Sequence, residues 1–456
     1  MLSSALSGHE VPSLRPLAGQ WLCPRIVDVV LVFSILFGIY FAGDVNTASV
    51  VEIILALFWL RRPMLAKGKL PVALLVILLI SLTYAVAIYL GNWMLDMAYP
   101  LRFSRSVVAF CATAWFVRVV VRERALHGNA PWVYFSDILL LVLGIQAVVV
   151  LAQFTYHPLR DAIYQYWSRY PLDRLPDWRV LGLTKGGALP SLLQVLGFYL
   201  AWDKVTRRES AFPLLIVMSI GIVSLAAVFL MAQTGVIFLV VSFPPFIFIS
   251  ARRGGGRSGL IRAGVLFVIV VCVSAGVWWV VAVSLDETLR GNIEMSVATK
   301  TDLITTLATA GEITNPEFRD IRDNMYFWPK DYQTLLFGNS LGLREGNPAD
   351  SVDRLRADTD VGYVTNIWGI GAVGLAVSMS FYLAILGFGY RAWRFRSCSG
   401  GSAMLLVASL FFLAGHAKEV HLFTRTGLEV YLLMFWAVYY SLESHDSTMT
   451  LRDSVG

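Results

Sequence analysis

Apolar runs as long as a bilayer is thick recur along this chain, and they constrain its fold more than any motif does. A hydrocarbon core about 30 Å across is crossed by about 20 apolar residues in a helix. About twelve spans are predicted, at 26–43, 46–60, 70–91, 104–121, 132–152, 186–202, 212–231, 235–250, 262–284, 361–390, 402–416 and 427–443. With 57% hydrophobic and 15% charged residues, the chain carries more apolar surface than a soluble domain hides. The runs are continuous rather than alternating, so helices and not barrel strands are expected to cross the lipid. The predicted class is an all-α polytopic membrane protein.

Charge orders the spans. Arg61, Arg62, Lys67 and Lys69 follow the second; Arg118, Arg122 and Arg124 close the fourth. Lys204, Arg207 and Arg208 follow the sixth, Arg252, Arg253, Arg257 and Arg262 the eighth, and Arg391, Arg394 and Arg396 the tenth. These short basic exits are what cytoplasmic loops require, which predicts both termini in the cytoplasm and the long polar interval outside it. The net charge of +6 belongs to these loops and implies no nucleic-acid partner. Cys23, Cys111, Cys272 and Cys398 are too scattered to suggest a disulfide framework or a zinc site.

Four regions result: spans one to nine within 1–284, a large outer loop at 285–360, three spans within 361–443, and a cytoplasmic tail at 444–456. A smaller outer loop, 153–185, has Leu159, Ile163, Tyr166, Trp167 and Tyr170 at helical spacing, as in a helix lying flat among headgroups. The cations after it, Arg174, Arg179 and Lys185, run against the positive-inside pattern. In the large loop a helix is predicted over 288–309. Another starts at Asn315-Pro316-Glu317, where a cap, a first-turn proline and an acid coincide; Arg319 and Arg322 fall on its polar faces. The loop ends in mixed charges, among them Arg344, Asp358 and Asp360, next to the span that opens at Gly362-Tyr363.

Cations from separate outer loops suit a phosphorylated lipid, because guanidinium pairs with phosphate oxygens in two places at once. A diphosphate leaving group needs such stabilisation, and a carboxylate can take the proton of an attacking sugar hydroxyl. Arg179 with Asp358 or Asp360 supplies both roles without nucleotide or redox cofactor. P-loop, HExxH and GxSxG motifs are absent from the sequence. Asp358-Thr359-Asp360 has the form of a DxD triplet, which is common by chance, and no metal is expected there. His416, Lys418, Glu419, His421 and Arg425 gather in the last outer loop. They either satisfy a helix end, or Lys418 and Arg425 hold a second diphosphate or the glycan. Asp28 and Glu52 are expected to hydrogen-bond inside the bundle. Gly369–Gly374 (GIGAVG) matches a dinucleotide fingerprint in form, yet it sits inside a span, where small residues let helices approach.

Three stretches carry a resemblance. RVLGLTKGGALPSLLQVLGFYLAW (179–202) resembles the Arg-x-x-Gly…Pro segment of the O-antigen polymerase and O-antigen ligase superfamily. MAQTGVIFLVVSF (231–243) resembles that family's Ser-Arg-Thr/Gly turn. LLFGNSLGL (335–343) with DTDVGYVTNIWGIGAVGLA (358–376) is similar to its FGxG-like turn, Asp-x-Gly-Tyr and Gly-x-x-Gly helix. The resemblance implies a GT-C-like glycosyltransferase of the bacterial inner membrane that uses undecaprenyl-diphosphate-linked oligosaccharides on the periplasmic face. A chain-length regulator and a flippase would be its partners. Gln233 stands where the family has arginine, so Lys185, Arg290 or Arg344 would have to compensate. Ligases of the family place a histidine near the exit of the large loop, and 285–360 contains none, which favours polymerase over ligase. A lipid-linked glycan transporter is the rival from another class; it would show cations within the spans and symmetry between halves.

Overall fold

The computed structural model describes residues 24–41, 45–61, 68–92, 97–125, 131–168, 180–184, 188–251, 261, 264–265, 268, 272, 276, 287–309, 325–340, 361–395, 399–418 and 421–453. Their regular structure is helical apart from one short antiparallel pair, β1 (Tyr40–Phe41) with β2 (Val45–Asn46). The helices are α1 (Ile26–Leu36), α2 (Thr47–Arg61), α3 (Lys69–Gly91), α4 (Ala98–Ala125), α5 (Pro131–Thr155) and α6 (His157–Ile163). They continue with α7 (Ala188–Arg207), α8 (Leu214–Leu230), α9 (Gln233–Ala251), α10 (Glu287–Thr309), α11 (Tyr332–Phe337), α12 (Gly362–Phe395), α13 (Ser399–Gly415) and α14 (Gly427–Asp453). Among the described residues, α3, α5 and long stretches of α4 and α12 are long and apolar enough to cross a membrane. The sequence expectation of apolar helices of spanning length is met to that extent.

Apolar residues face both ways on these helices, as a lipid solvent demands. On α3, Leu74, Leu78 and Ala85 are buried while Val72, Val76, Leu79 and Ile80 are exposed. Aromatic rings fill the interior: Tyr199 stacks on Phe246 with centroids 4.2 Å apart, and Tyr382 on Tyr431 at 5.3 Å. Tyr431 Oη also lies 2.6 Å from Ser409 Oγ, so that buried hydroxyl is satisfied.

The helix ends sort into two sets. At one, Trp132 N–H at the start of α5 donates to Ser441 Oγ of α14, and Lys204 of α7 pairs with Asp137 of α5 at 2.7 Å. Ser210 Oγ and Ala211 N–H donate to the same Asp137 carboxylate, and Arg207 pairs with Asp203. The basic exits after α7 and around Gly68, which abuts Tyr439, therefore share an end. At the other end meet the starts of α2, α4, α7, α9, α12 and α14 with the ends of α5, α8 and α13.

Three local departures from the sequence reading have physical causes. The first predicted span, 26–43, is helical only to Leu36; the Asn46 amide then donates to Gly38 O at 2.9 Å and turns the chain into β1–β2. In the segment 153–185, predicted as an outer loop, α6 passes into a π-helical turn, Tyr164–Ser168. The extra residue per turn rotates the stripe, so Tyr164, off the predicted stripe, is buried and Tyr166, on it, is 50% exposed. The span opening at Gly362 is two helices in series, because Gly371 breaks it with φ 65° and ψ 176°, a backbone that favours glycine. Close approach also holds for GIGAVG: a Cβ on Gly369 would strike the Tyr99 ring at 2.0 Å.

Candidate functional site

Two groups of side chains occupy the second end of the bundle. The first is organised by the C-terminus of α8. Val180 N–H donates to Leu230 O at 3.3 Å, and Ser296 Oγ of α10 donates to Phe229 O at 2.9 Å. A loop and a helix far apart in sequence thus satisfy neighbouring carbonyls of one helix end. Buried glutamines of α5 fix the residues that follow. Gln153 accepts from Gly182 N–H at 2.9 Å and donates to Gly182 O at 3.2 Å, while Gln146 Oε1 accepts from Leu183 N–H at 2.9 Å. Gly182 has φ 72°, and a Cβ there would fall 1.9 Å from the Gln146 amide.

Beside this loop α9 starts with Gln233 and Thr234, both buried; Gln233 Oε1 and Thr234 Oγ1 have no hydrogen-bond partner among the described residues. Gly235 packs on Ser191 of α7. Lys300 of α10, also buried, donates to Ser296 Oγ at 2.6 Å, which puts a cation by the negative end of the α8 dipole.

The second group surrounds His416, at the end of α13. Its Nδ1 accepts from the backbone N–H groups of His421 at 3.0 Å and Leu422 at 3.3 Å. Two fixed donors make Nδ1 an acceptor, so the neutral ring carries its proton on Nε2. That nitrogen lies 2.8 Å from Asn366 Nδ2, so an Nε2 proton is accepted there only with the amide turned to set its oxygen toward the ring. Tyr99 Oη of α4, 3.3 Å from the same amide, donates to Thr365 O at 2.8 Å. Gly362 faces the imidazole and Tyr363 meets it edge-on at 4.7 Å, its own hydroxyl donating to Leu413 O at 2.6 Å.

Charges lie one and two turns along from these contacts. Arg102 sits over the Tyr99 ring at 5.0 Å. Arg105 Nε is 3.9 Å from Glu429 Oε1, and its Nη2 donates to Phe423 O at 3.0 Å. Arg425 Nη2 donates to Ser49 Oγ at 3.2 Å. Glu52 and Glu429 are fully buried beside one another in the field of both guanidiniums. Two carboxylates only accept, so their contact is a hydrogen bond only when one carries a proton. Asp28 hydrogen-bonds as expected, accepting from Tyr134 Oη, but Glu52 meets a second carboxyl rather than a donor of the bundle.

The two groups adjoin. Leu192 of α7 packs on Gly415, next to His421, and Leu189 packs on Gly427. The start of α7 thus reaches the loop between α13 and α14.

No family model and no curated protein matches this chain.

The sequence-derived site residues fall into two sets. Arg179, Lys185, Arg319, Arg322, Arg344, Asp358 and Asp360 lie outside the described residues, as does the helix start at 315–317. Their described neighbours include Val180, pinned to α8, and Val361, buried at the opening of α12. Of the others, Gln233, Tyr363 and Arg425 are at the shared end of the bundle. Lys418 belongs to the turn after α13, where its N–H donates to Gly415 O at 2.9 Å. Arg290 is exposed and pairs with Glu294 of its own helix at 2.9 Å, so its charge is already balanced there. Among the described residues no group of three or more His, Cys, Asp or Glu is set to hold a metal ion.

Sequence reasoning passed over Arg102, Arg105 and Lys300. Arg102 and Arg105 flank the outward start of the fourth predicted span, 104–121, and run against the positive-inside pattern just as Arg179 does. That signal was there to be read. Lys300 had none, because its burial depends on where α10 docks.

Proposed function

We propose that this protein is a glycosyltransferase that polymerises undecaprenyl-diphosphate-linked oligosaccharide repeat units, of O-antigen or exopolysaccharide, on the periplasmic face of the inner membrane. One observation carries the reading. Of the stretches that resemble the polymerase and ligase superfamily, the first two touch, the two parts of the third are bonded to each other, and the first and third both reach the end of α13, through Leu192 on Gly415 and Gly362 on His416. Val180 is bonded to Leu230, Gly235 packs on Ser191, and Asn339 and Ser340 are bonded to Trp368 and Gly369. The twelve-span topology, the GT-C-like fold and the cytoplasmic placement of both termini belong to the same proposal.

In this reading Arg179, with Lys185 and the buried Lys300, holds the diphosphate of the growing chain. The terminal hydroxyl of an incoming unit attacks the donor sugar at C1. Its proton passes to Asp358 or Asp360, and the bond from C1 to the diphosphate oxygen breaks, so that lipid diphosphate leaves with the electron pair. Arg425 and Lys418 serve the second lipid-linked substrate. Low dielectric at a bundle end strengthens each of these pairings.

A ligase that transfers glycan to lipid A–core is the second reading, and His416 is what favours it. The large loop has no histidine of its own, yet the last loop brings one against Gly362 at its exit. His416 is fully buried with both ring nitrogens engaged, which suits a positioning role better than proton transfer. Deleting the gene in its host separates the two. Single-repeat product supports the polymerase, lipid-linked polymer that never reaches lipid A–core supports the ligase, and unchanged glycan overturns both.

A further inference from the structure

The segment Tyr326–Phe337 is fastened to the bundle along its length, yet it turns large aromatic side chains outward. Tyr326 Oη donates to Ala417 O just past α13, and Phe327 O accepts from Trp368 Nε1 at 3.2 Å. Past Phe337, Asn339 N–H and Ser340 N–H donate to Trp368 O and Gly369 O, each at 2.9 Å. The break at Gly371 strands those two carbonyls, so the turn Gly338–Ser340 crosses it as a strap. Gly338, with φ 79°, lies so close that a Cβ on it would fall 2.5 Å from Gly369 O.

The local backbone decides which side chains stay outside. From Tyr326 to Lys330 burial alternates: Tyr326, Trp328 and Lys330 are exposed, Phe327 is half-buried and Pro329 buried, as in an extended segment with one face down. Asp331 then caps α11, accepting from Thr334 N–H at 2.7 Å. Tyr332 and Leu336, one turn apart on that helix, are exposed, as is Phe337. Tyr332 is 82% exposed and Phe337 50%. So many large apolar groups in so short a stretch form a patch that calls for a partner.

Two observations say which partner. The first is depth. From Gly371 to the exposed Arg391 the helix runs about 30 Å at 1.5 Å per residue, one hydrocarbon thickness. With Arg391 at one face of a bilayer, the break and its strap are level with the other. The second is continuity. Phe337 O accepts from Tyr84 Oη of α3 at 3.3 Å, and α3 turns Leu79, Ile80 and Leu90 outward, as a helix does toward lipid. Tyrosine, tryptophan and lysine are suited to this level, with rings and stem among the upper acyl chains and polar tips among the headgroups.

We propose that Tyr326–Phe337 is a membrane-docking lip, seated in the headgroup layer of the leaflet at this end of the bundle. Part of the interval read from sequence as an outer loop thus lies on lipid. This docking requires that α3 and α12 cross a membrane and requires nothing of the reaction.

The test uses the full-length protein in lipid nanodiscs with a genetically encoded fluorescent amino acid at position 332, where little packing is lost. Nitroxide on the headgroup or high on the acyl chain should quench it severalfold more than nitroxide at the chain end, and aqueous iodide should quench it little. The same probe at position 337 should give the same order. At position 76, on the exposed face of α3, the chain-end nitroxide should quench best. Strong quenching by iodide at 332 and 337, with no response to nitroxide lipid, overturns the docking. An emission shift with added soluble oligosaccharide in that case would give the face to glycan instead. Iodide quenching at position 76 would remove the membrane crossing itself, and the docking with it.

Discussion

Gly362 and His416 occupy one space: a Cβ on the glycine would lie 2.3 Å from the imidazole Nδ1. The same nitrogen receives two backbone N–H groups of the last loop, so the ring cannot yield without unseating Leu422 and His421. A glycine at the exit of the large loop is thereby tied to the geometry of a loop more than fifty positions later.

Gly362→Ala should therefore destabilise the protein by about 1–3 kcal/mol, the usual cost of overpacking. Thermal unfolding in detergent reads it. His416→Ala orphans the two N–H groups and costs a similar amount. In the double variant the clash has no target, so the two losses should add to less than their sum. Strict additivity would mean that the residues do not share the contact.

Gln153→Leu removes both bonds that hold Gly182, its N–H and its carbonyl. The bundle should still assemble, with faster hydrogen exchange over 180–184. If Arg179 works from a fixed loop, polymer yield should drop along with that protection. Retained protection in the variant would show that Gln146 and the α8 carbonyls suffice.

The Lys204–Asp137 pair at the opposite end gives a contrast. Its partners are 4% and 1% exposed, so Lys204→Met leaves a buried carboxylate uncompensated and should cost about 3–5 kcal/mol. Adding Asp137→Leu should recover part of this, short of full recovery because Ser210 and Ala211 also lose an acceptor. Any variant that still folds should polymerise normally per molecule, as judged by glycan ladders normalised to protein.

Much of the architecture was legible because bilayer physics writes it in runs of apolar residues; α3 and α5 lie within a few residues of their predicted limits. Breaks inside such runs were not legible. Leu36 ends α1 and Gly371 splits α12 for reasons of contact, the Asn46 amide in one case and the strap in the other. Of the site, Gln233, Tyr363 and Arg425 could be picked from motif and position. Arg102 and Arg105 were missed although the charge rule that flagged Arg179 applies to them equally. The Glu52–Glu429 contact joins residues on α2 and α14, and no local pattern announces a pair of that separation.

Arg105→Gln should expose the nature of that cluster. With one guanidinium gone, Glu52 and Glu429 lose half of their compensation and the protein should lose stability on the scale of a broken buried pair, about 3–5 kcal/mol. Glu429→Gln in the same chain should restore most of it. Equal instability of single and double variants would assign the arginine to packing rather than charge.

The central claim is that cations at this end of the bundle hold a lipid diphosphate while a sugar hydroxyl displaces it. Turnover of a synthetic lipid-diphosphate oligosaccharide by the purified protein, wild type beside Arg179→Ala, tests it most directly. The account predicts polymer and released lipid diphosphate from the wild type and neither from the variant, with both proteins equally folded. A variant that extends chains as the wild type does, or a folded wild type that turns over nothing, would contradict it.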